Sequence, residues 1–237
     1  MSRRTEIRDQ RLRRRRRTTS ITLLVIVGVA LITTAFLIAQ NNRPVGAIAT
    51  AAPRAYAQAD GQSIGDPNAP VKIEEYSDFQ CPYCRVFHEE TFPQILRDYV
   101  QTGLVYFTYR NFPIVDSRSA TKESTNAAKA SVCAGQQGKF FEFHDLLFAN
   151  QTGENIGDFA ERRLYAMADM VGLEADAFDA CYRDSAAGDA VDQDKAAGLR
   201  AGVNSTPSFL INGVPFLGAQ PYAEFQKAIN TAMEAAS

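Results

Sequence analysis

The chain of 237 residues is 46% hydrophobic and 22% charged, with no tryptophan, which suits one globular domain large enough for a real core plus an N-terminal appendage. The net charge of −2 is uneven: residues 1–17 carry nine arginines against Glu6 and Asp9, or +7, which leaves −9 for the rest. A basic tip on an acidic body suggests two environments for one chain and argues against nucleic acid as a partner.

In chain order, residues 1–17 form a basic tail, predicted cytoplasmic. Residues 18–39 follow, and their uncharged part Ile21–Ala39 is 19 residues of mostly aliphatic sequence, close to the ~20 needed to cross a bilayer as a helix. Arginines crowd its N-terminal side, and only Arg43 and Arg54 come soon after it. The positive-inside rule then predicts an uncleaved single-pass anchor in the cell membrane with the body outside the cytoplasm. The competing reading is a cleavable signal peptide, whose apolar region is usually shorter; Ala55-Tyr-Ala57 has the small-x-small form but lies well past the apolar stretch. Residues 40–62, rich in Ala, Pro, Asn and Gln without periodicity, read as a flexible linker.

The domain proper is predicted over 63–237. Val71–Ser77 reads as a strand with Val71, Ile73, Glu75 and Ser77 on one face and Lys72, Glu74 and Tyr76 on the other. Pro82–Val100 reads as a helix with a kink at Pro93, and Leu104–Tyr109 as a second strand ended by Asn111-Phe-Pro113. Strand signals then vanish over about 119–198. Helices are predicted at Ala120–Ala134, Phe140–Ala149, Ala160–Val171, Ala175–Arg183 and Ala187–Leu199. Beta signals return as a hairpin, Ser208–Ile211 and Val214–Leu217 about Asn212-Gly213, and Tyr222–Met233 closes as a helix.

The chemistry concentrates in Cys81-Pro-Tyr-Cys84, where a strand feeds a Cys-x-x-Cys that opens a helix. That is a redox signature; the competing readings are an ordinary structural disulfide or half of a zinc site. At a helix N-terminus the unpaired N–H groups and the dipole stabilise a thiolate, so Cys81 is the attacking sulfur. Pro82 suits the first turn because it lacks only an N–H that would stay unpaired there. Cys84, one turn further in, is the resolving sulfur. Tyr83 is neutral at pH 7 and adds no positive charge beside the thiolate. His88 reads as a helix-surface residue rather than a ligand, and with His144 the only other histidine no metal site is expected.

Three runs together carry a resemblance: Gly65-Asp-Pro-Asn-Ala-Pro-Val71, Glu75-Tyr-Ser-Asp-Phe-Gln-Cys-Pro-Tyr-Cys84 and Thr206-Pro-Ser-Phe-Leu-Ile-Asn-Gly213. From roughly Ser63 to Ala235 the chain resembles the DsbA-like branch of the thioredoxin superfamily. The resemblance implies an α/β thioredoxin-like fold whose inserted all-helical domain, about 119–198, forms a lid beside the active site, preceded here by the transmembrane helix. It implies a cis Thr206–Pro207 bond lying against the dithiol and binding extended substrate together with Pro82 and Tyr83. It also implies that Glu75 is a buried acid beneath Cys84 that relays its proton. With Cys81 and Cys84 paired by the motif, Cys133 and Cys181 remain as a structural disulfide stapling the insert, as in some anchored members; two buried free thiols are the alternative.

The function implied is extracytoplasmic disulfide donation to unfolded or reduced exported proteins of a bacterium. A membrane quinone-linked partner of DsbB or vitamin K epoxide reductase type would re-oxidise the dithiol, and no bound cofactor is required. A disulfide reductase or isomerase, a copper or other metal chaperone, and a non-catalytic binding module on the same fold are the alternatives.

Overall fold

The structure, a computed structural model, describes residues 21–36, 45–56, 58–118 and 120–236. The chain divides into two compact units, 1–46 and 47–237. In the first, residues 21–36 form helix α1, whose aliphatic side chains, among them Leu24 and Ile32, are exposed. Among the described residues no helix is long and apolar enough to cross a membrane. Residues 18–20 and 37–39 of the predicted span, and the basic tail, lie outside the described residues.

The second unit is built on a five-stranded mixed sheet of order β1-β3-β2-β4-β5. Its strands are β1 (Ser63–Ile64), β2 (Val71–Ser77), β3 (Val105–Asn111), β4 (Ser208–Ile211) and β5 (Val214–Leu217). β2 and β3 run parallel, with Val71 opposite Val105, Glu75 opposite Tyr109 and Ser77 opposite Asn111. A parallel pair needs a crossover, and residues 82–100 supply it. This helix starts as α2 (Pro82–Val86), widens into π turns at Phe87–Thr91 and Leu96–Val100, and between them returns to α geometry as α3 (Phe92–Ile95). Pro93 lacks the N–H an α-helix needs, and its ring clashes with the carbonyl four residues back. The irregularity expected at Pro93 thus takes the form of a π turn before it. The hairpin turn follows from Asn212-Gly213, both left-handed with φ of 46° and 81°, as a two-residue hairpin turn demands.

Between β3 and β4 lies the helical insert: α4 (Glu123–Gln136), α5 (Phe140–Ala149), α6 (Glu161–Met170), α7 (Ala175–Arg183) and α8 (Ser185–Arg200). Helix α9 (Tyr222–Ala236) closes the chain. The insert has no separate core. Ile73 and Phe107 of the sheet and Phe92 of α3 belong to one apolar cluster with Phe143, Leu147 and Phe148 of α5. Burial of that shared surface fixes the insert beside the dithiol. The β2 alternation holds for Val71 and Ile73 inside and Lys72 and Glu74 half-buried, but Tyr76 is buried too, in a second small cluster with Phe112 and Val203.

Residues 47–56 and 58–62 differ from the expected flexible linker. They belong to the second unit. Ala49 exchanges two hydrogen bonds with the Asn150 side chain, at 2.8 and 2.9 Å. Arg54 pairs with Asp145 at 3.1 Å, and Tyr56 donates to the same carboxylate and stacks on Phe141. A segment without apolar periodicity is thus held by polar contacts to residues about a hundred positions away.

Candidate active site

The dithiol stands where β2 ends and α2 begins. Cys81 is the cap residue, extended at φ −71° and ψ 121°, and Pro82 opens the helix. Both sulfurs are unbridged. Cys81 keeps 6% of its surface exposed, whereas Cys84 has none. The Cys81 Sγ–H donates to the Thr206 carbonyl at 3.4 Å, so the turn that leads into β4 meets the sulfur at Thr206. Thr206–Pro207 is a cis peptide. Tyr83 projects outward, 67% exposed, and Pro82 is exposed beside it.

The two thiols have opposite electrostatics. Cys81 is pushed down to about 6, first by a hydrogen bond from the Cys84 side chain, then by the Thr206 side chain and the Cys84 and Tyr83 N–H groups, against the effect of burial. The helix start therefore contributes, but the partner thiol contributes more. Burial pushes Cys84 well up, and the charges of Cys81 and Glu75 push it further. Glu75 lies in the wall beneath them, 2% exposed, and burial raises its carboxyl to about 8. The Cys81 sulfur adds to that rise, and the nearby Ser77 hydroxyl opposes it. Glu75 Oε1 has no hydrogen-bond partner among the described residues, nor have the Ser77 and Tyr109 hydroxyls or the Asn111 amide on the adjoining strand positions. Glu74, its neighbour, instead turns outward to Arg110 at 2.7 Å.

Cys133 and Cys181 are bridged, with sulfurs 2.04 Å apart, joining α4 to α7 within the insert. Both cysteines belong to insert helices, so the bridge ties the insert to itself.

His88 is not on the surface: it is 5% exposed and packs on Phe92, Phe148 and His144. The positions Cys84, His88, Phe92 recur every four residues, which places His88 on the buried face and could have revealed it. His88, His144 and Asp145 each offer a ligand atom within 4.8 Å of the others. The Arg54 guanidinium already fills the cation position there, 3.1 Å from both Asp145 Oδ1 and His88 Nε2. Burial lowers both imidazoles, so they stay neutral at pH 7.

Two further residues shape the cysteine loop. Asp78, 2% exposed, accepts from the Gln80 and Val115 N–H groups, both at 2.9 Å, and burial raises its carboxyl to about 6. Gln80 is completely buried against the insert. Two polar residues at the end of an apolar strand were the available signal for both.

A family model described as Thioredoxin matches residues 58–231. The Na(+)/H(+) antiporter NhaA 3 of Salinispora tropica is 34% identical over 149 residues, which are 63% of this chain and 21% of the antiporter; this chain thus spans about a fifth of that relative's length. The probable disulfide bond formation protein D of Bacillus cereus is 29% identical over 164 residues, covering 67% of this chain and 73% of that protein. Among solved structures, Wolbachia pipientis alpha-DsbA1 superposes with a TM-score of 0.64 at 27% identity, over 74% of this chain and 92% of that one. Oxidised BdbD from Bacillus subtilis superposes with a TM-score of 0.66 at 23% identity, over 78% and 100%, a likeness of fold.

Proposed function

The chain belongs to the thioredoxin family, and we propose that it is a DsbA-like thiol–disulfide oxidoreductase that donates the Cys81–Cys84 disulfide to exported proteins. The carrying observation is the opposed pair: a Cys81 thiol pushed down at a helix start under the Thr206 carbonyl, and a buried, raised Cys84 thiol above Glu75. The alpha-DsbA1 likeness and the relative named for disulfide bond formation support the same reading.

In the oxidised enzyme a substrate thiolate attacks Cys81 Sγ. The Cys81–Cys84 bond breaks, and Cys84 departs with the electron pair. A leaving thiolate in an apolar pocket needs a proton, and Glu75, which holds one at pH 7, is placed to give it. A second substrate thiolate then attacks the substrate sulfur of the mixed disulfide and expels Cys81 as a thiolate, the form its surroundings favour. The substrate dithiol loses two electrons to the enzyme and two protons to solvent; the enzyme ends with a Cys84 thiol and a Cys81 thiolate, and Glu75 takes its proton back from solvent. Re-oxidation by a membrane quinone-linked partner completes the cycle. The apolar span 18–39 and the arginines before it support an anchored chain with its catalytic unit outside the cytoplasm.

The test is chemical trapping with a reduced protein substrate. Cys84→Ser should accumulate mixed disulfides through Cys81, and Cys81→Ser none. Linkage through Cys84 would reverse the sulfur roles, and no linkage by either variant would remove the redox reading. The direction of flow is set by the reduction potential of the couple, about −120 mV for a strong donor and about −270 mV for a thioredoxin-like reductant.

A further inference from the structure

Gln80, immediately before Cys81, has every polar group of its side chain engaged by the insert. Its Oε1 accepts from the Asn155 N–H at 2.6 Å, and its Nε2 donates to Ser124 Oγ at 2.8 Å. Its carbonyl accepts from Gln151 Nε2 at 2.6 Å. The connection between α5 and α6 is therefore tied to the cysteine turn. It is also held from behind. The Glu123 carboxylate accepts from the Gly157 and Phe159 N–H groups, each at 3.0 Å. Asp158 accepts from the Thr152 N–H at 2.6 Å and the Gly153 N–H at 3.2 Å.

The loop so fixed presents Ile156 to solvent, 63% exposed. Asn155 before it is left-handed at φ 58°, a conformation asparagine tolerates better than most residues. The Ile156 side chain lies across Gly153, where a Cβ would meet its Cδ1 at 2.9 Å. An exposed isoleucine is ordinary by itself. This one stands one residue beyond the hydrogen bond that joins Asn155 to Gln80, the residue before Cys81, and Tyr83 two residues after Cys81 is exposed as well.

We propose that Gln80 is a positioning residue that locks this loop to the Cys81 turn, so that Ile156 contacts an aliphatic side chain of the substrate segment flanking the reacting cysteine. The occupant is an extended, thiol-bearing polypeptide with an apolar residue next to its cysteine. The proposal rests on the redox reading above and adds a preference that reading does not contain.

The experiment measures kcat/KM of the full oxidised chain for two dithiol peptides, one with leucine and one with glycine beside the cysteines, and for dithiothreitol. The wild type should prefer the leucine peptide, and Ile156→Asn should lower the leucine-to-glycine ratio about tenfold, as expected for losing most of one aliphatic contact. Ile156→Leu should restore it. Gln80→Met, which keeps the volume and loses the hydrogen bonds, should lower the same ratio through KM. Ile156 is exposed, so its variants test the idea even where Gln80→Met folds poorly. A ratio unchanged by Ile156→Asn, or no leucine preference in a wild type that oxidises dithiothreitol, overturns this proposal alone. A wild type that oxidises neither peptide nor dithiothreitol overturns the redox reading and this proposal with it.

Discussion

Replacing Glu75 by glutamine should stabilise the chain, and by an amount that depends on pH. Burial lifts the Glu75 carboxyl from its ordinary 4.5 to about 8. Between those values the folded chain holds one proton more than the unfolded chain. The stability tied to Glu75 is then fully present below pH 4.5, falls as pH rises, and levels off above pH 8. The slope is about 1.36 kcal/mol for each pH unit. From pH 4.5 to pH 7 the loss is about 3 kcal/mol, and it approaches about 5 kcal/mol above pH 8. Glutamine does not titrate. Its amide would face the unpartnered hydroxyls of Ser77 and Tyr109, which can accept its N–H groups. Urea unfolding of the reduced wild type and Glu75→Gln from pH 4 to pH 9 reads the difference. The difference should grow by about 3 kcal/mol between pH 4.5 and pH 7. A difference that stays flat over that range would refute a protonated, buried Glu75 and with it the proton donation to Cys84.

The Cys133–Cys181 bridge closes a separation of 48 residues, which the chain-entropy account values at about 4 kcal/mol. The double variant Cys133→Ala, Cys181→Ala should melt roughly 10 °C lower yet retain disulfide transfer; two free thiols in folded, air-oxidised wild type would contradict the staple. For topology, a reporter active only outside the cytoplasm and fused after Ser237 should be active, and a stable but inactive fusion would place the catalytic unit inside.

What was legible in the sequence is what repeats or punctuates. β2, α5, α7 and both hairpin strands fall on the residues expected, because alternation, four-residue spacing and Asn212-Gly213 mark them locally. β1 escaped because two residues cannot alternate. The docking of 47–56 escaped for a different reason. Arg54, Tyr56 and Ala49 are fixed by Asp145 and Asn150, and a polar contact between distant residues leaves no period. The same holds for Gln80, Glu123 and Asp158, whose partners are mostly backbone N–H groups that any residue supplies. At the site, the motif located the sulfurs and the proline, while the ordering of forces on Cys81 needed the geometry. The Cys84 side chain outranks the helix start that sequence reasoning emphasised.

That ordering bounds how oxidising the couple can be. A thiol at about 6 is mostly thiolate at pH 7, which favours the reduced enzyme by about 1.4 kcal/mol over an unperturbed thiol. For a two-electron couple that is worth about 30 mV. A thiol at about 3.5, as in the strongly oxidising DsbA, would contribute on the order of 100 mV by the same arithmetic. Tyr83 between the cysteines supplies no cation to close that gap, and the buried Glu75 carboxyl works the other way once ionised, because its charge opposes a thiolate beside it. The same feature aids turnover, because a less basic Cys81 leaves the mixed disulfide faster. Cys84, raised by burial, is the poor leaving group of the pair, so the first exchange needs a proton donor. On the proposed donor reading, a chain built this way would pass on disulfides with a moderate driving force and draw the proton for Cys84 from Glu75.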